Sequence, residues 1–172
     1  THLTTKTGGF NGRPLKKGDL LKIGKSKKNL AKINLDLNYS TKRSILRITK
    51  GLQKDWFSDL NWSTLVKKTF KVSKKYDRMG IKLDGPSIRP INKKQMITEG
   101  IALGAIQIPG NGKPIISFID HQTTGGYPVI ANVISIDICK VGQLKEGDSF
   151  KFDLVDIKIA ESMRIKQASF FK

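Results

Sequence analysis

The sequence predicts a mainly β protein, a β-barrel or a sandwich, with a few short helices. Seven or more short runs are apolar or alternate between apolar and polar residues, and turn residues separate them. Closely spaced short strands are typical of all-β barrels and sandwiches. The 172 residues, of which 38% are hydrophobic, suffice for one sizeable core. No run of about 18 apolar residues occurs, so no membrane-spanning helix and no membrane partner are predicted.

The first half of the chain contains a predicted linker, three strands and one helix. Residues 24–41 are rich in Lys and Asn and predict the linker. Alternation and apolar runs predict strands over residues 42–49, 69–73 and 79–83. Residues 55–68 predict a short helix that Asp59 or Ser63 caps. Its predicted buried side consists of Trp56, Phe57, Leu60, Leu65 and Val66.

The centre of the chain, residues 99–126, predicts a hairpin of two buried strands. Residues 101–108 and 115–119 are apolar at most positions. Residues 109–114 between them hold two prolines and an Asn-Gly pair, which favour a hairpin loop. A polar segment follows, and then a further apolar run over residues 129–138.

The residues after that run predict a buried cysteine, two strands and a tail. Cys139 adjoins the apolar run and is predicted to be a small buried hydrophobe. As the single cysteine it allows no internal disulfide, which fits a reducing, cytoplasmic location. Residues 150–159 alternate and predict a pair of strands with an irregularity at Asp153, and residues 160–172 are an amphipathic tail of undecided type.

A short repeat bears on the domain organisation. Residues 15–22 and 144–151 share the pattern Leu-Lys-x-Gly-Asp-x-apolar-Lys, in which Gly-Asp predicts a tight turn before a strand. If the match is not a coincidence, both copies end a unit of the same kind. Residues 1–23 are then the tail of a truncated first half-domain, 24–41 the linker and 42–172 a complete second half. We therefore expect the fragment by itself to be poorly packed over residues 1–23 and to be inactive.

The net charge of +18 raises the hypothesis of a nucleic-acid-binding β-domain. Only 6 of the 32 basic residues are Arg, the usual residue for contacts with base edges and phosphates. Lysines are scattered, and between residues 96 and 138 the single Lys or Arg is Lys113. We interpret most lysines as solvated surface and predict no specific nucleic-acid partner.

The central stretch also carries a family resemblance. Its segments EGIALGAIQIPGNGKPI and DHQTTGGYPVIANVI resemble the carboxyltransferase domain of the family that includes allophanate hydrolase subunit 2, urea carboxylase and one subunit of bacterial ATP-dependent 5-oxoprolinase. The segment YDRMGIKLDGP, residues 76–86, resembles the same family, and GGFNGRPL, residues 8–15, is a weaker match. The resemblance covers essentially the whole chain and implies cyclophilin-like β-barrel halves.

The resemblance implies a carboxyltransferase-like subunit of an ATP-dependent 5-oxoprolinase, in which partner subunits drive ring opening of 5-oxoproline to glutamate. The alternatives are the carboxyltransferase of a biotin-dependent urea carboxylase or allophanate hydrolase system, and a regulatory binding protein that antagonises a kinase inhibitor. Residues 18–26 place five residues between glycines where a phosphate-binding loop needs four. We therefore expect this chain to bind no cofactor, with ATP on a partner subunit and biotin only in the urea alternative.

Candidate site residues lie mostly in the polar segment of the centre. Asp120 directly follows a buried run, where a carboxylate is costly unless it is paired. It is either a cap on the Thr123 or Thr124 amide, or a base or anchor for an amide or urea nitrogen. We predict catalytic roles for Asp120 and Gln107. The predicted substrate-binding residues are Arg78, Gln122, Thr123, Thr124, Gly125, Gly126 and Tyr127.

The chemistry of these side chains suits a ureido or lactam ligand. Each Gln offers two N–H donors and an acceptor, and the Thr hydroxyls can donate to a carbonyl. Arg78 either forms a structural ion pair with Asp77 or anchors a carboxylate, and Glu99 could orient it. The bond between Tyr127 and Pro128 is a candidate for the cis form, although trans is favoured. With only two His residues, no metal site is predicted.

Overall fold

A computed structural model of the chain describes residues 1–3, 5–25, 44–91 and 96–169. The chain divides into two compact units, residues 1–38 and 39–172. Most of the predicted linker lies outside the described residues, so the division into tail, linker and second half stays a prediction.

Turns make up the described part of the first unit. His2 and Thr7 form an isolated β-bridge, with N–O distances of 2.9 and 3.3 Å. The Arg13 guanidinium lies over the Phe10 ring, 4.7 Å from its centroid. Arg13 also donates two hydrogen bonds of 2.8 and 2.7 Å to the Asp19 carboxylate, which link the Phe10–Arg13 turn to the turn at Asp19.

The described residues of the second unit form nine strands and three helices. The strands are β1 (Ile45–Lys50), β2 (Phe70–Val72), β3 (Gly80–Asp84), β4 (Glu99–Gly100), β5 (Ala105–Gln107), β6 (Ile115–Ser117), β7 (Thr124–Gly125), β8 (Val129–Val133) and β9 (Ser149–Leu154). The helices are α1 (Asp59–Lys67), α2 (Ile138–Val141) and α3 (Ile157–Ser169), with 3₁₀ turns at Lys54–Trp56 and Ser135–Asp137.

Seven of these strands close into a barrel in the order β1-β8-β5-β6-β3-β2-β9, and β4 and β7 form a separate two-stranded ribbon. Neighbouring barrel strands are antiparallel except for β1 and β9, which run parallel. The prediction of a mainly β barrel with a few short helices is therefore confirmed. The predicted central hairpin is confirmed for Ala105–Gln107 and Ile115–Ser117, which pair directly as β5 and β6. Residues 101–104 form no strand, and Leu103 and Ile119 are exposed rather than buried.

Alternating apolar residues fill the barrel. Leu46 and Ile48 on β1 and Phe150 and Phe152 on β9 are buried, whereas their neighbours along each strand face outward. The Phe70 and Phe152 ring centroids lie 5.4 Å apart, and those of Phe150 and Phe152 lie 5.3 Å apart in an edge-to-face arrangement. Such aromatic pairs contribute beyond the area they bury.

The predicted helix over residues 55–68 is present but begins later. Ser58, not Asp59 or Ser63, caps α1, since its side chain accepts the Asn61 N–H at 3.2 Å. Phe57 and Leu65 are buried as predicted, but Leu60 is 76% exposed. Leu60 and Leu65 are five residues apart, about 140° around a helix, so the two side chains cannot both face the core.

Two predictions near the C-terminal end are wrong. Residues 157 and 159 belong to α3, not to a second strand, and the Asp156 carboxylate accepts the Lys158 N–H in its first turn at 2.8 Å. An alternation this short cannot separate a strand from a helix turn. Cys139 is exposed, because the chain leaves the barrel after Val133 and turns into α2.

Candidate functional site

A cleft of about 210 Å³ lies on the outer face of the barrel. Strands β3, β5 and β6 form its floor, where Gln107 pairs with Ile115, and Ile115 pairs with Lys82. Intervening residues of these strands, such as Ile106 and Ile116, are buried in the core. The cleft is lined by Asp77, Met79, Gly80, Lys82, Gln107, Ile115, Ser117, His121, Gln122 and Tyr127.

Gln107 and Ser117 form a hydrogen-bonded pair on this floor. The Gln107 Nε2 donates to the Ser117 Oγ at 2.8 Å across the β5–β6 pair. Ser117 is only 1% exposed, so its hydroxyl is held in place by the strand and by the amide. The hydrogen bond fixes which end of the Gln107 amide points toward the serine and leaves the Oε1 at the other end.

His121 stands at the edge of the cleft with its tautomer defined by a backbone contact. Its Nδ1 lies 2.7 Å from the Gln122 carbonyl oxygen. A carbonyl only accepts, so Nδ1 carries the proton, and in the neutral ring Nε2 keeps a lone pair. The cleft therefore contains a side chain able to accept a proton or a hydrogen bond.

Arg78 and Asp120 form an exposed ion pair beyond the cleft-lining residues. The Arg78 Nε and one terminal nitrogen donate to the two Asp120 oxygens at 2.6 and 3.1 Å. This hydrogen bonding raises the pKa of Arg78 above its ordinary value. The pair joins the extensions of β3 and β6, since the Asp120 N–H also donates to the Arg78 carbonyl at 2.9 Å.

The alternative that paired Arg78 with its neighbour Asp77 is wrong. The Asp77 Oδ1 instead accepts the backbone N–H groups of Met79 and Gly80, at 2.8 and 3.1 Å. The Asp77 carboxylate turns back to the N–H groups two and three residues later, so Arg78 pairs instead with an acid 42 positions away. The expected orientation of Arg78 by Glu99 is also absent from the described contacts, because Glu99 accepts from Gln53 Nε2 at 3.0 Å.

The ribbon of β4 and β7 lies beside the floor of the cleft. A Cβ at Gly125 would collide with the Ile101 side chain and would lie 3.3 Å from the Gln107 Oε1. The Gly125 backbone therefore lies close to Gln107, and any side chain at this position would have to displace the end of Ile101. The Thr123 carbonyl accepts the Ile101 N–H at 2.9 Å, and Thr124 pairs with Gly100, so both residues support the ribbon.

A buried glutamine that the sequence analysis missed connects this ribbon to the barrel. The Gln53 Nε2 donates to Glu99 on β4, and its Oε1 accepts the Val129 N–H at 3.0 Å. Gln53 precedes a short 3₁₀ turn, and no local pattern marks it as more than a surface residue. The contact fixes where the ribbon lies relative to the start of β8.

The structure thus brings together some of the predicted site residues and leaves others apart. Gln107, Gln122 and Tyr127 line the cleft, whereas Arg78, Asp120 and the segment 123–126 do not. Sequence reasoning missed Ser117, Lys82 and His121. Alternation puts residues 115 and 117 on one face of β6 and residues 80 and 82 on one face of β3, but only the pairing of the strands places those faces beside Gln107. The bond before Pro128 is trans, as favoured, because no cis peptide occurs among the described residues.

A second polar cluster is built into the barrel wall. Asp137 is buried and accepts three hydrogen bonds from Arg47, at 2.6, 2.9 and 3.0 Å, and Lys140 Nζ lies 3.1 Å away. Burial would raise the pKa of Asp137, but the hydrogen bonds from Arg47 and Lys140 outweigh it and hold the pKa below its ordinary value. The cluster fastens the turn before α2 to β1.

Two other kinds of site are absent from the described ranges. No group of three or more His, Cys, Asp or Glu residues there could hold a metal ion. No helix in the same ranges is long and apolar enough to cross a membrane.

Comparison with known proteins places the chain next to one family. Residues 1–154 match the family described as carboxyltransferase domain, subdomain A and B. The chain is 32% identical over 166 residues to the 5-oxoprolinase subunit designated C in Haemophilus influenzae, which covers 96% of this chain and 53% of that protein. It is 28% identical over 183 residues to the urea amidolyase of Saccharomyces cerevisiae, which covers 93% of this chain and 10% of that protein.

The fold is similar to that of a solved structure. The Kluyveromyces lactis urea amidolyase superposes with a TM-score of 0.68 at 24% identity, over 73% of this chain and 8% of that one. The chain spans about half the length of the 5-oxoprolinase subunit that it matches.

Proposed function

The chain belongs to the carboxyltransferase domain family, and from this premise we propose that it is part of an ATP-dependent 5-oxoprolinase. In the proposed reaction the ring C–N bond of 5-oxoproline breaks, water adds across it, and glutamate is released while ATP is hydrolysed. The chain supplies the carboxyltransferase-like subunit, and the ATP site is on a partner subunit. The observation that carries this proposal is the 32% identity over 96% of the chain to a 5-oxoprolinase subunit.

The cleft supports the proposal through its chemistry. A lactam presents one N–H and one carbonyl, and Gln107, Ser117, Gln122 and Tyr127 provide neutral donors and acceptors around a small volume. Small-ligand sites are commonly concave, with a few placed polar groups among apolar walls. We assign Gln107 to the amide of the substrate, with the Gly125 ribbon positioned against it.

Asp120 keeps its proposed catalytic role, now with Arg78 as the group that holds it. Because both carboxylate oxygens accept from Arg78, the pair can act as a unit that a substrate meets at the edge of the cleft. Asp120→Asn keeps the shape and removes the charge. A fall in turnover of about 10²-fold or more in the complete complex is expected if Asp120 moves a proton.

The matched structural measurement separates that role from a purely structural one. If Asp120 only holds the β3 and β6 extensions together, Asp120→Asn lowers stability by about 1 kcal/mol or less and leaves turnover near normal. Unfolding in urea and turnover, measured on the same variant, decide between the two roles.

The experiment that tests the function itself uses the complete protein assembled with its partner subunits. ATP-dependent release of glutamate from 5-oxoproline is the expected result, and it should disappear when this subunit is left out. Turnover of 5-oxoproline without this subunit, or no turnover with it, contradicts the proposal.

The second candidate is the carboxyltransferase of a biotin-dependent urea-degrading enzyme, favoured by the 28% identity to a urea amidolyase. In that case carboxybiotin, held by another domain, donates its carboxyl group to a urea nitrogen. ATP- and biotin-dependent carboxylation of urea by the same assembly identifies this candidate. A regulatory protein without turnover is the outcome if neither substrate reacts.

A further inference from the structure

We propose that the cleft selects ligands in which an amide lies beside a carboxylate, with Gln107 and Ser117 binding the amide and Lys82 binding the carboxylate. The inference rests on the proposed function and names the substrate class within it. None of the sequence patterns pointed to Ser117 or Lys82, and both enter through the register of three strands.

Gln107 and Ser117 offer one acceptor and one donor to a ligand. The Ser117 Oγ accepts the Gln107 N–H, and its own proton has no acceptor within the described ranges. The Gln107 Oε1 likewise receives no N–H or O–H from the described residues. A buried hydroxyl with an unused proton and an amide with an unused oxygen therefore belong to two residues that line the same cleft.

This donor and acceptor match one edge of a lactam. A five-membered ring forces its amide to be cis, so the N–H and the carbonyl lie on the same edge. The Gln107 Oε1 can accept the ring N–H, and the Ser117 hydroxyl can donate to the ring carbonyl. Urea offers the same edge, so this part of the cleft does not distinguish the two substrates.

Lys82 can distinguish a lactam that carries a carboxylate from urea. It is the sole Lys or Arg among the lining residues, and it forms no salt bridge in the described part of the chain. Its register with Ile115, and that of Ile115 with Gln107, put it two strand spacings from Gln107, about 10 Å between Cα atoms. A long side chain at that distance can reach a carboxylate attached to a ring that sits on Gln107.

The other charges near the cleft leave this role to Lys82. Arg78 is occupied by Asp120, and the Asp77 oxygen that points toward β3 already accepts two backbone N–H groups. A cation without an ion-pair partner favours an anionic ligand, and a hydrogen bond to a charged group is stronger than a neutral one. Urea and unsubstituted lactams carry no carboxylate and cannot form this hydrogen bond with Lys82.

The test measures binding directly, so that it does not depend on turnover. Backbone and side-chain amide NMR signals of the complete protein are followed during titration with L-5-oxoproline, 2-pyrrolidone and urea. The wild-type protein should bind 5-oxoproline about tenfold more tightly than 2-pyrrolidone, the value of one charge-assisted hydrogen bond. The largest signal changes should occur at Gln107 and its neighbours.

The key variant is Lys82→Met, which keeps the length of the side chain and removes its charge. It should weaken 5-oxoproline binding about tenfold and leave 2-pyrrolidone binding unchanged. Lys151→Met is the matched control, since Lys151 is also exposed on a barrel strand and does not line the cleft. Equal affinities of the two ligands for the wild-type protein, or equal effects of the two variants, overturn the proposal.

Ser117→Ala tests the amide half of the proposal. Loss of the hydroxyl should weaken the binding of 5-oxoproline and of 2-pyrrolidone by the same factor, about fivefold. If Ser117→Ala weakens the binding of 5-oxoproline alone, Ser117 does not bind the amide that both ligands share, and the assignment is wrong. A thermal unfolding curve like that of the wild-type protein shows that the variant is folded.

These experiments can fail for the carboxylate site and for the proposed function independently. If assemblies carrying Lys82→Met and Lys151→Met both turn over 5-oxoproline with the same KM, the carboxylate site is overturned and the proposed function stands. Lys82-dependent binding in an assembly that releases no glutamate overturns the function and supports the ligand class.

Discussion

Two short segments of this protein, residues 15–22 and 144–151, are identical at five of eight positions and form the same turn. In the first, the Asp19 carboxylate accepts the Lys16 N–H at 2.6 Å, and the Asp19 N–H donates back to the Lys16 carbonyl at 3.1 Å. In the second, Asp148 and Lys145 make the same two contacts at 2.9 and 3.0 Å. The Gly-Asp pattern therefore specifies its turn in both places.

The glycines of the two turns also agree. Gly18 has φ of 95° and Gly147 has φ of 86°, in the left-handed region where glycine avoids the cost that a side chain would meet. The same four-residue pattern thus adopts the same conformation in two different surroundings, since Asp19 also accepts from Arg13 and the second turn bonds to Val72.

The residues that follow the two turns differ completely. Phe150 and Phe152 belong to β9 and are buried between β1 and β2, with Phe150 only 1% exposed. Leu21 and Ile23, at the corresponding positions of the first segment, are 57% and 91% exposed and lie outside any strand. A turn is a local structure, whereas a strand forms only where neighbours supply hydrogen bonds and an apolar surface.

The largest expected difference between the two segments is in hydrogen exchange. The Lys151 N–H donates to the Ser44 carbonyl at 2.9 Å inside the barrel, so its exchange should require global unfolding. We expect protection of about 10³-fold or more there, from a domain stability of about 5 kcal/mol, and little at Lys22. Strong protection across residues 20–23 in the isolated chain would contradict the difference between the two segments.

Truncating the core side chain tests the same contrast in equilibrium stability. Phe150→Ala should destabilise the barrel by about 3–5 kcal/mol, because it removes a buried aromatic ring and leaves a cavity. Leu21→Ala, its counterpart in the first segment, should change stability by about 0.5 kcal/mol or less. Urea unfolding followed by tryptophan fluorescence measures both, and similar losses would mean that Leu21 is buried in solution.

The turn glycines give a smaller, matched pair of variants. Gly147→Ala should lower the stability of the barrel by about 1–2 kcal/mol, because left-handed backbone strains alanine and not glycine. Gly18→Ala carries the same local strain but lies in the other unit, so barrel unfolding should not change. A barrel destabilised by Gly18→Ala would show that the two units unfold together.

Removal of the turn carboxylate is expected to have a somewhat smaller effect. Asp148→Ala leaves the Lys145 N–H without its acceptor and should lower barrel stability by about 1 kcal/mol, as for loss of a helix cap. Asp148→Asn retains an acceptor oxygen and should recover most of that loss. If both variants lose the same stability, the charge and not the hydrogen bond matters.

The smallest effect concerns pH and the first segment. Hydrogen bonds from Arg13, and then one from the Lys16 N–H, lower the pKa of Asp19 to about 2. A lowered folded-state pKa means that this contact stabilises the segment above the ordinary Asp pKa of about 3.9 and is lost as the pH falls through about 2. NMR titration of the Asp19 carboxyl carbon measures it, and a midpoint near 3.9 would contradict the ion pair.

Much of the barrel was predictable because its strands carry local signals. The strand near residues 42–49, the strands of the central hairpin and the strand that starts at Ser149 all appeared as apolar runs or alternation ended by turn residues. The errors occurred where a local pattern was short or shared by two structures. Residues 157 and 159 alternate like a strand but belong to α3. The cap of α1 is Ser58, whereas Asp59 or Ser63 was predicted.

The candidate site was predicted in its composition but not in its geometry. Gln107 and Gln122 were selected because each amide offers two N–H donors and an acceptor, and both line the cleft together with Tyr127. Ser117 and Lys82 were not predicted, because nothing in the neighbouring sequence distinguishes them. Only the register of β3, β5 and β6 places them near Gln107. Register is fixed by the burial of a whole strand face, which no short window contains.

The sequence by itself therefore determined the turns, the alternation of the strands and the kind of polar groups that reach the surface. Tertiary structure decided which of those groups meet. Arg78 pairs with Asp120 and not with the adjacent Asp77, and Arg47 pairs with Asp137, 90 positions away. The physical reason is that side-chain direction and strand pairing, not distance along the chain, decide which charges approach closely enough to form hydrogen bonds.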